Sequence, residues 1–182
     1  MRWVVLMLIG IAAGCASPGQ TAAEQRLATT DMRSQVLADL YVEKASARDE
    51  IAAAPGYAVF SNANVNVILA SVGGGYGVVR DNANGVDTYM RMGEVGLGLG
   101  AGIKDYRVVF VFHDRETMVD FVENGWSFGA QADAAAKASD KGKAVGAEAI
   151  ADDVTVYQLT ESGLALQATL KGTRYWRDSK LN

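Results

Sequence analysis

Hydrophobic and polar positions follow three regimes along this chain. Trp3 to Ala13 is an apolar run behind a single charge, Arg2. Asp31 to Ala54 changes to a spacing of three to four. Met32, Val36, Leu40, Ala47 and Ile51 recur on one side of a predicted helix, and Leu37 and Tyr41 widen the stripe. Thr30 or Asp31 can cap its start. Pro55-Gly56 ends it, because the residue before a proline avoids the helical region. From Tyr57 onward, short apolar runs separated by turn residues predict strands over Tyr57–Phe60, Val65–Val72, Tyr76–Arg80, Val86–Met92, Arg107–Phe112, Val145–Ile150, Val154–Leu159 and Leu164–Leu170. Asp81–Gly85 is a hairpin signal, and Asp140–Lys143 and Glu161–Gly163 are turns. Asp114 caps a short helix, Arg115 to Glu123, that ends near Asn124-Gly125. Trp126 to Ala136 fits neither pattern cleanly. Strands joined by short turns predict an α+β fold: a curved, largely antiparallel, barrel-like sheet with an N-terminal helix and a short helix packed on it.

The sheet pattern is most unusual between Gly93 and Ile103. From Gly96 to Gly102 every second residue is glycine, and Val95, Leu97, Leu99, Ala101 and Ile103 stand between them. In a strand this gives one bare face and one aliphatic face. Glycine is costly in a strand, so something should press on the bare side formed by Gly96, Gly98, Gly100 and Gly102. Close packing in a curved sheet is one reading, and the wall of a ligand site, such as one for an acyl chain, is the other. Neither this run nor Gly73-Gly74-Gly75-Tyr76-Gly77 has the spacing of a phosphate loop or a dinucleotide fingerprint.

The first apolar run is too short to span a bilayer as a mature helix, and it has the layout of an export signal. It closes on Ala12-Ala13-Gly14-Cys15, and Cys15 is the chain's one cysteine. This resembles a bacterial lipoprotein signal, which is cut before the cysteine so that its thiol and new amine are acylated. Ala12 stands where such signals usually carry Leu. Ordinary secretion with an incidental cysteine is the alternative. The expected layout is a signal at 1–14, a tether at 15–30 and one domain at 31–182. Ala16, rather than Asp, after the cysteine resembles the sorting pattern for the outer membrane. That implies a lipid-anchored protein, on the periplasmic side. A sole cysteine leaves no intrachain disulfide.

Loss of Arg2 with the signal takes the formal net charge from −4 to −5. A net acidic chain without a basic stripe interleaved with aromatics argues against nucleic acid as a partner. The predicted helix carries Asp39, Glu43, Asp49 and Glu50 beside Lys44 and Arg48. It therefore lacks the basic face of an interfacial membrane helix and should pack on the domain. Basic residues instead recur near the end, at Lys171, Arg174, Arg177 and Lys180. They read either as a solvated tail or as a patch for lipid phosphates. Trp126, Tyr175 and Trp176 fit a membrane interface or a core equally well. Catalytic signals are sparse. His113, the one histidine, ends a strand, Ser127 and Ser162 lack a nucleophile-elbow context, and Asp152-Asp153 reads as a turn and strand start. No metal, no cofactor and no enzymatic activity are expected.

Read in order, the motifs resemble a known family. A helix runs into Ala54-x-Gly-Tyr-Ala-Val-Phe-Ser61. Gly73-Gly-Gly-Tyr-Gly-Val-Val79, the alternating glycines and Val108–Phe112 follow. A short helix then closes on Gly125-Trp126-x-Phe-Gly129. Asp153-Val-x-Val-Tyr157, Ser162-Gly-Leu164 and Leu170-x-Gly-Thr-Arg174 complete the series. The order, over roughly Asp31 to Trp176, is similar to that of the SYLF domain family, which binds lipids and in fungi regulates actin. The resemblance implies a non-enzymatic, lipid-binding α+β domain with membrane phospholipids as partners. An envelope scaffold that binds a protein partner and no small ligand is the other reading. Eukaryotic members bind phosphoinositides through basic residues and an amphipathic N-terminal segment; here the N-terminal helix is not basic and the front end resembles a lipoprotein signal.

Overall fold

The computed structural model describes residues 18–67, 70–96, 102–128, 148–151, 153–160, 163–164 and 173–182. Cys15 and the signal lie outside them, as do the turn at Asp140–Lys143 and most of the predicted strand at Leu164–Leu170.

The N-terminal helix is longer than the apolar stripe implies and is broken once. α1 spans Ala22–Glu43 and α2 spans Ala47–Ala53. α1 starts nine residues before Asp31, inside the expected tether, because Thr21 and Glu24 form a capping box. The Glu24 amide donates to Thr21 Oγ1 at 3.2 Å, and the Thr21 amide donates to Glu24 Oε2 at 3.0 Å. The break follows from the same stripe. Met32, Val36 and Leu40 are buried at four-residue spacing, and the next position is Lys44. The chain leaves the helix there and re-enters it so that Ala47 and Ile51 continue the buried face.

The strands are β1 (Gly56–Val67), β2 (Ala70–Asp81), β3 (Asp87–Gly96) and β4 (Gly102–Phe112), then, after α3 (Arg115–Asn124), β5 (Trp126–Phe128), β6 (Glu148–Ala151), β7 (Val154–Thr160), β8 (Gly163–Leu164) and β9 (Thr173–Arg177). They form one antiparallel sheet in the order β5-β9-β3-β2-β1-β4-β7-β6, with β8 also on β7. β1 to β3 are a meander and β4 returns beside β1, which is a Greek key. Two predicted strands are corrected by this register. Val65–Val72 is not one strand: Val65 pairs with Val72 and Val67 with Ala70, so its two ends belong to β1 and β2. The glycine run is not one strand either. Gly96 ends β3 opposite Ser71, and Gly102 begins β4 opposite Asn66. Gly98 and Gly100 lie outside the described residues. β9 was not legible as a strand at all. It lies between β3 and β5, where the sequence offered a basic tail.

The sheet is curled. Phe60 on β1 and Tyr175 on β9 are separated by two strands, a distance of about 14 Å in a flat sheet, yet their ring centroids are 4.7 Å apart. Phe110 on β4, one strand further, is 5.2 Å from Tyr175. The curl needs a stretch of strand without side chains on its inner face. β2 supplies it: a Cβ on Gly75 would stand 2.1 Å from the Ser61 carbonyl oxygen, and one on Gly77 2.3 Å from the Phe60 ring.

The two faces are closed differently. The outer face packs Val59, Val109, Val111, Tyr157 and Leu159 against Val36, Leu40 and Ile51 of α1 and α2. The inner face holds Phe60, Phe110, Phe112 and Tyr175, and Phe121 of α3 fills one end of the trough. α3 has local stops at both ends, as its sequence indicates. Asp114 accepts from the Thr117 amide at 2.8 Å, and Gly125 ends the helix at φ +67°, where a Cβ would also meet the Tyr175 carbonyl oxygen at 2.3 Å. Among the described residues no helix is long and apolar enough to cross a membrane.

Candidate functional site

Strand alternation decides where the C-terminal basic and aromatic residues go. In β9, Thr173 and Tyr175 point into the trough, whereas Arg174 and Trp176 point out. Arg174, Trp176, Arg177 and Lys180 are all exposed, and Trp176 keeps 38% of its surface in solvent. The Trp176 indole lies over Gly93, 3.2 Å from where a Cβ would stand, so the first glycine of the run serves as its platform. Tyr175 does not belong to this strip. It is fully buried in the aromatic core, and the interfacial role offered by the sequence is corrected to packing. Lys171 lies outside the described residues. Ser127, opposite Arg174 on β5, is exposed. Beyond the strand, Asp178 is buried and pairs with Arg91 at 2.8 Å. The Asn182 side chain donates to the Tyr89 carbonyl, and Arg26 of α1 donates to the Leu181 carbonyl. The C-terminal residues are therefore docked, so the exposed cations sit on a fixed frame and not on a loose tail.

The inner face carries a second constellation. Moving along the trough away from α3, the aromatic layer of Phe60, Phe110 and Tyr175 gives way to Asn62 on β1, Glu94 on β3, Tyr106 on β4 and Thr173 on β9. Register places Asn62 opposite Tyr106 and Glu94 opposite Thr173. Asn62 Nδ2 donates to Glu94 Oε2 at 2.9 Å, and the Tyr106 hydroxyl donates to the same oxygen at 2.5 Å. Asn62 and Glu94 reach each other across β2 because Gly75, opposite Asn62, and Gly73, opposite Glu94, put no side chain between them. Burial, and then the Glu94 carboxylate beside it, hold the Tyr106 phenol well above its ordinary value, so it stays a donor. Thr173 Oγ1 sits near enough to the Tyr106 hydroxyl to oppose that rise but makes no hydrogen bond of normal geometry. None of these four residues stood out in the sequence. The available signals were a carboxylate inside a glycine run and an asparagine inside an apolar strand.

His113 is exposed at the end of β4 and also makes specific contacts. Its Nε2 is 2.7 Å from Thr155 Oγ1 and 3.4 Å from Glu50 Oε1, and Glu50 also accepts from the Tyr157 hydroxyl. This ties α2 to β4 and β7. Asp153 serves structure as well, since its carbonyl accepts from the His113 amide at 2.8 Å. An acidic hollow of about 460 Å³ lies beside α3, lined by Asp114, Glu116, Asp120, Asp153 and Trp126, and the Trp126 indole holds the Asp120 carboxylate low. Among the described residues no group of three or more His, Cys, Asp or Glu converges to hold a metal.

Residues 93–182, from the glycine run through the docked C-terminus, match the family model described as Ysc84, Las17-binding protein actin regulator. Over 168 residues the chain is 33% identical to a protein of Aeromonas veronii named beta cell expansion factor A, a match covering 89% of this chain and 60% of that protein. The chain thus spans about three fifths of the length of that relative. With the ordered motif series, the curled antiparallel sheet and both of these matches in agreement, residues 93–182 carry a domain of the SYLF family, the part of the chain that the Ysc84 model matches.

Proposed function

We propose that this chain is a bacterial lipoprotein, acylated at Cys15 and held on the periplasmic side of the outer membrane, whose SYLF domain binds membrane phospholipid without catalysis. The observation that carries the reading is the outer face of β9. Exposed Arg174 and Trp176 point out from a strand pinned at both edges by β3 and β5, and Arg177 at the strand end and Lys180 beyond it are exposed close by in the chain. Indoles favour the membrane interface. Each basic residue near an anionic surface contributes about 1 kcal/mol, an attraction that fades within a Debye length of about 8 Å at physiological salt. With a net charge of −5 after signal removal the domain as a whole is repelled, so attraction has to be local and modest. Stable residence then depends on the acyl chains, since one chain alone is marginal.

The test is co-sedimentation of the full chain carrying Cys15→Ser with anionic vesicles, against the same chain with Lys171, Arg174, Arg177 and Lys180 changed to Ala. Salt-sensitive binding that the fourfold change abolishes supports the reading; equal sedimentation removes the strip from it. Mass spectrometry of the wild-type protein from membranes reads the anchor directly, and an unmodified Cys15 thiol excludes it. The description of the matched family as Las17-binding favours a second reading, an envelope scaffold that binds a protein and no lipid. Absence of vesicle binding by either protein would move the assignment there.

A further inference from the structure

The polar layer of the inner face has more hydrogen-bonding capacity than the protein uses. Asn62 and Thr173 are 2% and 1% exposed, yet Asn62 Oδ1 and Thr173 Oγ1 have no hydrogen-bond partner among the described residues. Glu94 fixes the orientation of the Asn62 amide. A carboxylate only accepts, so the amide nitrogen must face it and the oxygen is left over. Glu94 itself forms no ion pair with Lys or Arg among the described residues. Buried polar atoms are seldom left without partners, and those that are mark a missing group.

We propose that Glu94, Asn62 Oδ1 and Thr173 Oγ1 together bind a primary ammonium group. The chemistry of the layer selects it. An ammonium has three N–H donors and no acceptor, and it meets one carboxylate and two neutral oxygens here. Its single positive charge neutralises Glu94, in a setting where low dielectric strengthens the attraction. A calcium ion takes six to eight oxygens, usually from several carboxylates, whereas this layer has one. A hydroxyl would satisfy one acceptor and leave the charge. The aromatic rings of Phe60 and Tyr175 beneath the layer suit an organic cation over a hydrated metal ion. Glu94 is only partly buried, so the layer is reachable from solvent. Such an ammonium is carried by an ethanolamine lipid headgroup or by a free amine. The first source rests on the lipid-binding reading above, and the second does not.

The probe is a matched pair of vesicles containing phosphatidylglycerol with either phosphatidylethanolamine or phosphatidylcholine, the latter carrying a quaternary nitrogen without N–H donors. The full chain carrying Cys15→Ser should bind the ethanolamine vesicles about tenfold more tightly, as expected for hydrogen bonds to a charged group. Adding Glu94→Gln or Thr173→Val should erase that preference, with folding checked by circular dichroism. Adding Arg174→Ala with Arg177→Ala should weaken binding to both vesicles alike. Equal affinity of the protein for the two vesicles, or a preference that survives Glu94→Gln, overturns the proposal and leaves the lipid reading standing. If neither vesicle binds, the lipid reading falls and a soluble probe decides. Glycerophosphoethanolamine should shift the Asn62 side-chain amide signals in the NMR spectrum, and an unmoved spectrum overturns the site. This arm needs no variant, so it holds even where Glu94→Gln fails to fold.

Discussion

The sheet carries a tyrosine–glutamate hydrogen bond on each face, and the two are built for different ends. On the outer face Tyr157 donates to Glu50, and the remaining capacity of that carboxylate is met by His113 and by solvent, since the Glu50 side chain is 26% exposed. That pair is a strap between α2 and the sheet. On the inner face Tyr106 donates to Glu94 with Asn62 beside it, but here the neighbouring oxygens of Asn62 and Thr173 are buried and have no hydrogen-bond partner among the described residues. The same two residue types give a finished structural contact in one place and an incomplete one in the other. The cause lies in the surroundings. Around Tyr157 the helices cover the outer face with aliphatic side chains, whereas on the inner face the aromatic packing stops at Tyr175 and a polar layer follows.

The comparison breaks most completely through Gly75, whose missing side chain lets the inner pair assemble. Gly75→Val would drive its Cβ into the Ser61 carbonyl. Overpacking typically costs about 1–3 kcal/mol, and because the obstacle is backbone the loss should reach the top of that range or pass it in urea unfolding. Next comes the pair itself. Tyr106→Phe should cost about 1.5–3 kcal/mol, the range for a hydrogen bond to a charged group. Tyr157→Phe should cost less, about 1 kcal/mol, because His113 and water still serve Glu50. Equal losses at the two sites would contradict the contrast drawn between the faces.

Alkaline titration sharpens the same point with smaller changes. Burial raises the phenols of Tyr106 and Tyr175 above the usual value of about 10. The unfolded chain therefore gives up these protons first. Stability from this source is whole below pH 10 and falls as pH rises through and beyond it, by up to about 1.4 kcal/mol per pH unit for each phenol. Tyr106→Phe should make that limb shallower in pH-dependent thermal melts. The smallest effect is expected away from both faces. Arg115, 2.8 Å from Asp81, holds that carboxyl below the usual carboxylate range. The stability it gives is present above that range and lost as pH falls through the lowered value. Arg115→Ala should raise the acid-unfolding midpoint slightly and leave the neutral-pH melt almost unchanged, because the guanidinium is half exposed.

What the sequence by itself determined is local. Asp114 and Gly125 bracket α3 because each acts on backbone within four residues. Asp81 to Gly85 turns the chain because Asp81 and Asn84 bond their own neighbours. Thr21-x-x-Glu24 equally specified the start of α1, and the apolar stripe beginning at Met32 drew the expected boundary too late. The alternation of apolar strands and turns carried the α+β class and the antiparallel sheet in the same way. What only the tertiary structure decided is which strands are neighbours. Register divided the glycine run between β3 and β4, made a strand of the basic tail, and sent Tyr175 inward while Trp176 stayed out. It also brought Asn62, Glu94, Tyr106 and Thr173 into one layer across four strands. A residue type at a single position carries no record of its cross-strand partner. That partner is set by sheet order and curl, which arise from the packing of the whole chain.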